Sequence, residues 1–506
     1  MPDDEPVPPS PTDPHRRRFF RLFAGDVASS VGSMIGAARS LQAETASAAQ
    51  DLLGGTGMAD LLGTGTAPSP QAPDSSPALR AQGPYLAATA GYRAPFRFED
   101  DVVFAWDQRL LPDILQEMAI AGAADAIGAL TDGAVIGSAV AAQLGAATVA
   151  LVAARARDSR PFARRATIRG AASAFRLNRP GSAQMALAMD RMLALVEAFP
   201  VEADGAVLAD ALRREAEEII VEATEDHSRI AGHAPQALPA GRTVVLRVLT
   251  AGSTGALGSG VFGTALGVVT SRHQAGQAVH ALVAETRPWL AGGRIACWEL
   301  AQAGIPHTLI PDAAAPGRIA AGEVDVVLVT ADRIAANGDL AAPVGTYPLA
   351  LAAQAAGVPL VVCVATTAID LAVPDAAGLA PEDARPSAAL VFAGQRIAPE
   401  GTHARNPATD VVPAALVDAF LTDEGVLRGP FAASLAGAVE RASARRMASS
   451  GFRALVAQRE RAAEPEPKPG PEPEAAAAEV ASAGPEPGPE PEVAAAGPEP
   501  EPEPEP

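Results

Sequence analysis

Short aliphatic runs alternate with amphipathic segments through the second half of the chain, and this alternation organises the rest of the sequence. Runs of Val, Ile, Leu and Ala predict strands at 244–249, 280–285, 307–310, 326–329 and 360–365. Unbroken aliphatic residues are typical of strands buried on both faces. Helices are predicted near 295–303, 316–322 and 345–356. This order predicts an α/β fold with a Rossmann-like, doubly wound and mostly parallel sheet.

The region before this sheet has a helical pattern. Residues 112–157 and 182–235 are rich in Ala and Leu at helical spacing, and a strand or hairpin is predicted over 96–107. The helical pattern is interrupted at 132–133 and again at 178–181. Arg179 in the second interruption stands at a helix start, where an anion would be favoured. An arginine that merely solvates its loop is at least as common an interpretation.

These changes of pattern divide the chain into five parts. We expect an N-terminal extension and linker over 1–91, a mostly helical domain over 92–238, and the Rossmann-like domain over 239–431. A helical extension over 432–463 and a Pro/Glu/Ala tail over 464–506 are expected to follow. The extension and the tail contain few large apolar side chains, so both are expected to be disordered outside short amphipathic segments.

Charge, cysteine content and apolar runs limit the kinds of partner and the cellular location that we expect for this protein. The formal net charge is −20, and more than half of it comes from the tail, so neither part of the chain favours nucleic acid. Two cysteines in separate segments do not indicate a disulfide framework, which favours the cytoplasm. The sequence contains no run of 18 uncharged apolar residues, so no membrane-spanning helix is expected. The seven histidines lack metal-ligand spacing, so we expect neither a metal nor a cofactor.

The N-terminal extension carries a basic and aromatic segment, His15 to Phe23, with three consecutive arginines. It resembles a twin-arginine export signal, but the following residues are weakly hydrophobic and include Asp26. An amphipathic helix over 16–53 is the favoured interpretation. Such a helix would dock on the protein itself, on another protein or on a membrane surface.

The strand predicted at 326–329 leads directly to the strongest candidate for chemistry, Asp332. Ligands of open α/β sheets bind at the carboxyl ends of the strands, and a carboxylate there is well placed as a general acid or base. Two structural alternatives stay open at this point. Asp332 is also suited to cap a following helix or to pair with Arg333.

Two glycine-rich stretches follow the first predicted strand of the sheet. Residues 250–255 (TAGSTG) form a strand-to-helix turn whose backbone N–H groups suit a phosphate or another oxygen ligand. Tight packing is the alternative reason for such a turn. Residues 258–263 (GSGVFG) match G-x-G-x-x-G literally, but they lie inside a predicted helix, so a dinucleotide site is not favoured.

Two further residues have simpler interpretations. His227 beside Asp226 is expected to lie on a surface helix, although a position near the site is an alternative. Cys363 lies in an apolar strand and is expected to be a small core residue.

Several blocks in order make the chain from about 92 to 431 resemble the methylthioribose-1-phosphate isomerase family, which is related to initiation-factor 2B subunits of the alpha, beta and delta type. These blocks are 285–288 (ETRP), 298–300 (WEL), 331–339 (ADRIAANGD), 345–347 (GTY), 369–371 (IDL), 396–401 (RIAPEG) and 406–411 (NPATDV). The resemblance implies a homodimeric aldose–ketose isomerase of methionine salvage, acting on a sugar phosphate in a cleft between the two domains.

The resemblance also implies site residues. Asp332 matches the family's catalytic Asp, and Arg179 its phosphate-binding Arg before Pro. The remaining implied substrate-binding residues are Gly133, Ala134, Gly252, Ser253 and Arg287.

Other positions depart from the family pattern. The catalytic Cys is replaced by Gly252, and the Arg of the Arg-Gly-Ala phosphate loop by Asp132. A Gln of the site falls on Ala291, and an Asn-Lys pair falls on 342–343 (AP). Two hypotheses remain: a divergent sugar-phosphate isomerase that relies on Asp332, or a non-catalytic regulatory or scaffolding relative. In the second, the N-terminal segment and the acidic tail would contact partners.

Overall fold

A computed structural model describes residues 95–99, 102–239, 245–392 and 395–449. The amphipathic segment expected over 16–53 and the tail expected from 464 lie outside the described residues.

The first lobe joins a small antiparallel sheet to five helices. Strands β1, β2 and β3 lie in that order, and β1–β2 is the hairpin predicted over 96–107. Their bounds are β1 Phe96–Glu99, β2 Val102–Trp106 and β3 Glu117–Ile120. The helices are α1 Ala123–Thr131, α2 Ser138–Arg155, α3 Pro161–Asn178, α4 Ala183–Ala198 and α5 Gly205–Ala237.

One helical expectation was wrong in this lobe, and one helix was not predicted. The pattern predicted helix from residue 112, but Glu117–Ile120 forms β3 because it pairs antiparallel with β2, where Val103 lies opposite Ile120. Pairing with a strand distant in sequence overrides the local propensity. The sequence between the two predicted helical regions forms α3, which begins with Pro161 at its first turn, where a missing N–H is harmless.

Helix α2 forms the centre of the first lobe. By length and composition it would suffice to cross a membrane, but 78% of it is buried inside the fold. Its small residues let neighbouring helices approach closely, and Gly145 lies against the sulfur of Met185 and the methyl group of Met189 in α4. Helix α2 is therefore the core helix of this lobe, and its first residue reaches the boundary with the second lobe.

The second lobe is built on a seven-stranded sheet of order β16-β15-β10-β7-β4-β5-β6. All neighbours are parallel except β15 and β16, which are antiparallel. The strands are β4 Leu246–Thr250, β5 Val279–Ala284, β6 His307–Ile310, β7 Val326–Val329, β10 Leu360–Cys363, β15 Ala419–Thr422 and β16 Gly425–Leu427. The predicted Rossmann-like, doubly wound and mostly parallel sheet is confirmed.

The helices of the second lobe alternate with these strands. They are α6 Ala256–Ser259, α7 Ala265–Gln274, α8 Cys297–Gln302, α9 Ala315–Ala320, α10 Thr346–Ala356, α11 Ser387–Leu390 and α12 Phe431–Ser449. Helix α12 packs on the sheet through Leu435 and Ala438, which are fully buried in the same core cluster as Val362 and Phe420. Phe431 also meets Phe420 of β15 edge-on at 4.8 Å between ring centroids.

Short strands after β7 make a second sheet of order β11-β8-β9-β14. These strands are β8 Arg333–Ala335, β9 Leu340–Pro343, β11 Ile369–Asp370 and β14 Thr409–Val412, and a separate hairpin joins β12 Val391–Phe392 to β13 Gln395–Arg396. Because a strand rather than a helix follows β7, the helix-capping alternative for Asp332 is excluded.

The strand order fixes where a ligand would bind. From β4 the chain proceeds to β5 and β6 on one side, then returns to β7 on the other side and continues to β10. The direction therefore reverses between β4 and β7. In open α/β sheets, ligands bind outside the carboxyl ends of the strands at such a switch point.

Candidate functional site

A cleft opens at this switch point, between the sheet and the first lobe. Its empty volume is about 830 Å³, part of which is open to solvent. The lining includes the start of α2, the turns after β4, β5 and β7, and two separate segments that carry Arg179 and Glu382. Both lobes therefore contribute side chains to one cavity.

Asp332 lines this cleft three residues beyond Val329, the last residue of β7. Its Oδ1 accepts a hydrogen bond of 2.5 Å from the hydroxyl group of Ser138. Arg333 pairs with Asp370 at 2.7 Å, so the pairing with Arg333 that the sequence left open is not formed. Burial raises the pKa of Asp332, and the negative charge of Glu382 adds to this effect against the opposing influence of Ser138.

The turn after β4 lines the same cleft as Asp332. Gly252 has a φ of +88°, and its N–H donates to the hydroxyl oxygen of Thr286 at 2.8 Å. This N–H is therefore engaged within the protein. Ser253 is buried, and in the described part of the chain its hydroxyl group has no hydrogen-bond partner. Ser253 is thus the better polar candidate of the two.

The second glycine-rich stretch serves close packing. A Cβ on Gly258 would lie 2.0 Å from the carbonyl oxygen of Ser253, and one on Gly137 would lie 1.9 Å from the carbonyl oxygen of Gly258. Only glycine permits such approaches. The helix expected through this stretch was wrong, because α6 ends at Ser259 and Gly260 has a φ of +110°. These contacts hold the start of α2 against the turn after β4.

Arg179 lines the cleft, but it is not alone there. Its Nη1 lies 3.4 Å from Oε2 of Glu382, and Oε1 of Glu382 accepts the N–H of Gly181 at 3.1 Å. The carboxylate therefore offsets part of the positive charge that an anion would meet. Arg287 also lines the cleft, and its guanidinium group donates to the carbonyl oxygen of Ala388 at 3.2 Å.

Gly133 and Ala134 lie outside the cleft lining. A Cβ on Gly133 would meet the ring of Trp289 at 3.0 Å, and Ala134 is fully buried. Trp289 itself lines the cleft, so Gly133 lies behind the ring that forms part of the cavity wall. Asp132, at the position of the family's phosphate-loop arginine, pairs with Arg385 at 2.6 Å.

The expectation that His227 lies on a helix surface was wrong. His227 and Asp226 are each 1% exposed. Burial lowers the pKa of His227 to about 4 against the opposing charge of Asp226, and in the described ranges neither ring nitrogen has a hydrogen-bond partner. Asp226 instead binds Arg445 and Arg446 of α12.

Cys363 is a buried core residue as predicted, and burial raises the pKa of its thiol.

Within the parts of the chain that are described, no group of three or more His, Cys, Asp or Glu residues is arranged to hold a metal ion.

Sequence reasoning missed several residues that face the cleft. They are Ser138, Gln184, Thr286, Trp289 and Glu382. Glu382 and Ser138 stand in segments without a recognised motif. Thr286 and Trp289 lie within or next to the ETRP block at 285–288, which was a usable signal for both.

A carboxyl group at the switch point of a Rossmann-like sheet, covered by a helical lobe, defines a class of two-lobed α/β proteins with an acid-bearing interlobe cleft. The chain belongs to the initiation factor 2 subunit family, whose model matches residues 134–429.

Similar proteins carry two kinds of name. Methylthioribose-1-phosphate isomerase of Anaeromyxobacter dehalogenans is 39% identical over 344 residues, which cover 68% of this chain and 96% of that relative. The isomerase of the same name from Chloroflexus aurantiacus is 37% identical over 338 residues, covering 67% and 96%.

Two solved structures share the fold over most of their own length. The 5-methylthioribose 1-phosphate isomerase from Pyrococcus horikoshii OT3 gives a TM-score of 0.61 at 29% identity, covering 69% of this chain and 96% of that one. The translation initiation factor eIF-2B subunit delta from A. fulgidus gives 0.58 at 27% identity, covering 69% and 99%. The suspected family is therefore confirmed.

Proposed function

We propose that this protein is an aldose–ketose isomerase of a sugar phosphate such as methylthioribose-1-phosphate, with Asp332 as its acid and base. The observation that carries the proposal is the position of Asp332, in the interlobe cleft at the switch point, with its pKa raised by burial. A carboxyl group whose pKa is raised above its ordinary value is suited to give and regain protons during one turnover. The names of the relatives support the reaction class.

The chemistry requires four proton transfers, and one carboxyl group is sufficient for them. Protonated Asp332 gives its proton to the ring oxygen as the ring opens, and the carboxylate then takes the proton of C2 to form an enol. The same proton returns to C1. Asp332 finally takes the proton of the C2 hydroxyl group as the ketone forms. The residue ends in the protonated state in which it began.

The remaining polar groups are suited to hold the substrate. Arg179 and Arg287 supply positive charge at the cleft, and the hydroxyl group of Ser253 supplies a buried donor without a partner in the described structure. Ile136 and Trp289 on the cleft wall reduce the access of water.

The departures from the family pattern predict a slow or altered reaction. A positioned acid or base contributes about 10²- to 10⁴-fold to a rate, and Gly252 supplies no such group. Asp132 pairs with Arg385 and supplies no positive charge to a phosphate. We therefore expect turnover well below that of a family member with the thiol, or a substrate with a less demanding anion.

The test is turnover by the purified full chain, followed by ³¹P NMR on methylthioribose-1-phosphate and a panel of pentose phosphates. Conversion of an aldose phosphate to the ketose is expected in the wild type and is expected to be lost in Asp332→Asn. Asp190→Asn, which changes an exposed carboxylate on α4, is the matched control and should retain activity. Equal turnover by Asp332→Asn and the wild type would refute the assignment.

A non-catalytic regulatory or scaffolding role is the second candidate. It is favoured by Gly252 in place of the thiol and by the pairing of Asp132 with Arg385. Under this candidate, no sugar phosphate is turned over, and a protein or membrane-surface partner is captured only when residues 16–53 are present. For both candidates we propose a cytoplasmic homodimer that does not bind nucleic acid. Light scattering would test the dimer, and retention on DNA would test the absence of nucleic-acid binding.

A further inference from the structure

Ser138 makes a contact that joins the two lobes at the centre of the cleft. It is the first residue of α2, and its hydroxyl group donates to Oδ1 of Asp332 at 2.5 Å across 194 positions of sequence. Within the described ranges, Ser138 is the single side chain that hydrogen-bonds the carboxyl group of Asp332. Hydrogen bonds to ionised acceptors are roughly twice as strong as those between neutral groups.

The backbone around Ser138 is fixed by neighbouring contacts. Gly137 has a φ of +125° and lies against the backbone of Gly258, so the chain can approach this closely only with glycine. The N–H of Ile136 donates to the side-chain oxygen of Gln108 at 3.0 Å. The start of α2 is thus held from both sides, and Ser138 is presented to Asp332 by a rigid support.

The backbone of Asp332 is held as firmly. Its N–H donates to the carbonyl oxygen of Ala341 at 2.8 Å, and its carbonyl oxygen accepts the N–H of Ala183 at 3.1 Å. Both ends of the hydrogen bond are therefore fixed, one in each lobe. A hydroxyl group is needed here for more than packing, because an apolar side chain would leave Oδ1 without this donor.

We propose that Ser138 is a positioning residue for Asp332, which holds Oδ1 so that Oδ2 exchanges protons with the substrate and which stabilises the carboxylate formed in each turnover. This inference rests on the proposed function. The hydroxyl group keeps its own proton throughout, and the protons that move are those carried by Asp332. Ser138 thereby stabilises the ionised state of Asp332 in a cleft where Gly252 stands at the position of the family's thiol.

Removal of the Ser138 hydroxyl group is expected to change the pKa of Asp332 in a defined direction. Because Ser138 lowers the pKa of Asp332 against the effect of burial, Ser138→Ala is expected to raise that pKa further. If the protonated form starts the reaction, the decline of activity at high pH moves to higher pH in the variant. Loss of a hydrogen bond to an ionised group predicts a fall in kcat of about 10- to 100-fold. KM is expected to change little, since Ser138 acts on Asp332 rather than on the phosphate.

The experiment compares the wild type, Ser138→Ala and Ser138→Thr as full chains. The titration of Asp332 is followed by its ¹³Cγ resonance, assigned with Asp332→Asn, and kcat and KM are measured against pH. We expect an upward shift of the Asp332 titration and a lower kcat in Ser138→Ala, and recovery of both in Ser138→Thr, which restores the hydroxyl group.

The outcomes separate this inference from the proposed function. Turnover by the wild type together with an unchanged titration and kcat in Ser138→Ala would overturn the inference and leave the isomerase intact. Absence of turnover in the wild type would overturn the isomerase. In that case, an upward titration shift in Ser138→Ala, reversed in Ser138→Thr, would still support the hold of Ser138 on Asp332, and an unmoved titration would overturn it.

Discussion

Replacing Arg446 by Met is expected to lower the free energy of unfolding by about 3 kcal/mol, because the change leaves buried carboxylates with one cation fewer. Nη2 of Arg446 lies 2.6 Å from Asp226 and 3.3 Å from Asp423, which are 1% and 2% exposed. It also donates to the hydroxyl group of Thr366 at 2.7 Å.

The magnitude follows from what remains after the change. Breaking a buried ion pair on one side costs about 3–5 kcal/mol. Arg445 still contacts Asp226 at 2.9 Å and Asp423 at 2.5 Å in the variant, so the lower end applies. About 3 kcal/mol corresponds to a change of roughly 100-fold in the folding equilibrium.

The loss depends on pH with a defined sign. Burial raises the pKa of Asp423, and the charge of Asp226 raises it further. Without Arg446 the pKa of Asp423 in the folded state rises further. Protonation of Asp423 therefore stabilises the variant more than the wild type. The difference in stability between wild type and variant is therefore largest above the raised pKa of Asp423 and shrinks as the pH falls through it.

The assay is urea unfolding of the full chain at several pH values. Arg441→Met on the same helix is the matched control, because Arg441 is 55% exposed and pairs with Glu424 at 3.3 Å. Exposed pairs of this kind contribute about 0–1 kcal/mol. If Arg446→Met destabilises the protein no more than Arg441→Met, or equally at every pH, the account of this buried network is wrong.

Three further changes test other parts of the structure. Burial raises the pKa of Glu299 to about 7, so its ionisation should reduce stability as the pH rises from 4.5 to 7, and Glu299→Gln should flatten that decline in thermal melts. Gly252→Ala should cost about 1–2 kcal/mol through its φ of +88° alone, since the nearest atom to a Cβ is 3.5 Å away; a loss above 4 kcal/mol in urea unfolding would contradict this. Glu382→Gln should tighten binding of inorganic phosphate by calorimetry, since it removes the carboxylate beside Arg179; unchanged affinity would show that Arg179 does not bind the anion.

The parts of the fold that sequence could predict are those set by local pattern. Strands β6 and β7 have the predicted bounds, 307–310 and 326–329. For β7 the reason is local, because an uninterrupted aliphatic run between turns is typical of a strand buried on both faces. Strand β3 was missed because its conformation is decided by pairing with β2. Such pairing leaves little trace in the residues of one strand.

The candidate site divides in the same way. Asp332 was predictable because it follows a buried strand and stands in a recognisable motif. Its hydrogen bond to Ser138 was not, because the partner lies 194 residues away on a helix of the other lobe. The burial of Asp226 and His227 was also missed, since it depends on Arg445 and Arg446 more than 200 positions later.

Helix α5 has a consequence for how the cleft can open. It runs for 33 residues, a rod of about 50 Å, and its buried side chains belong to the first lobe near Leu208 and to the second near Ile230. One continuous helix is thus part of the cores of both lobes. A large rotation of one lobe relative to the other would require this helix to bend. We therefore expect a substrate to enter through the solvent-facing opening of the cleft, without a large change in the distance between the lobes.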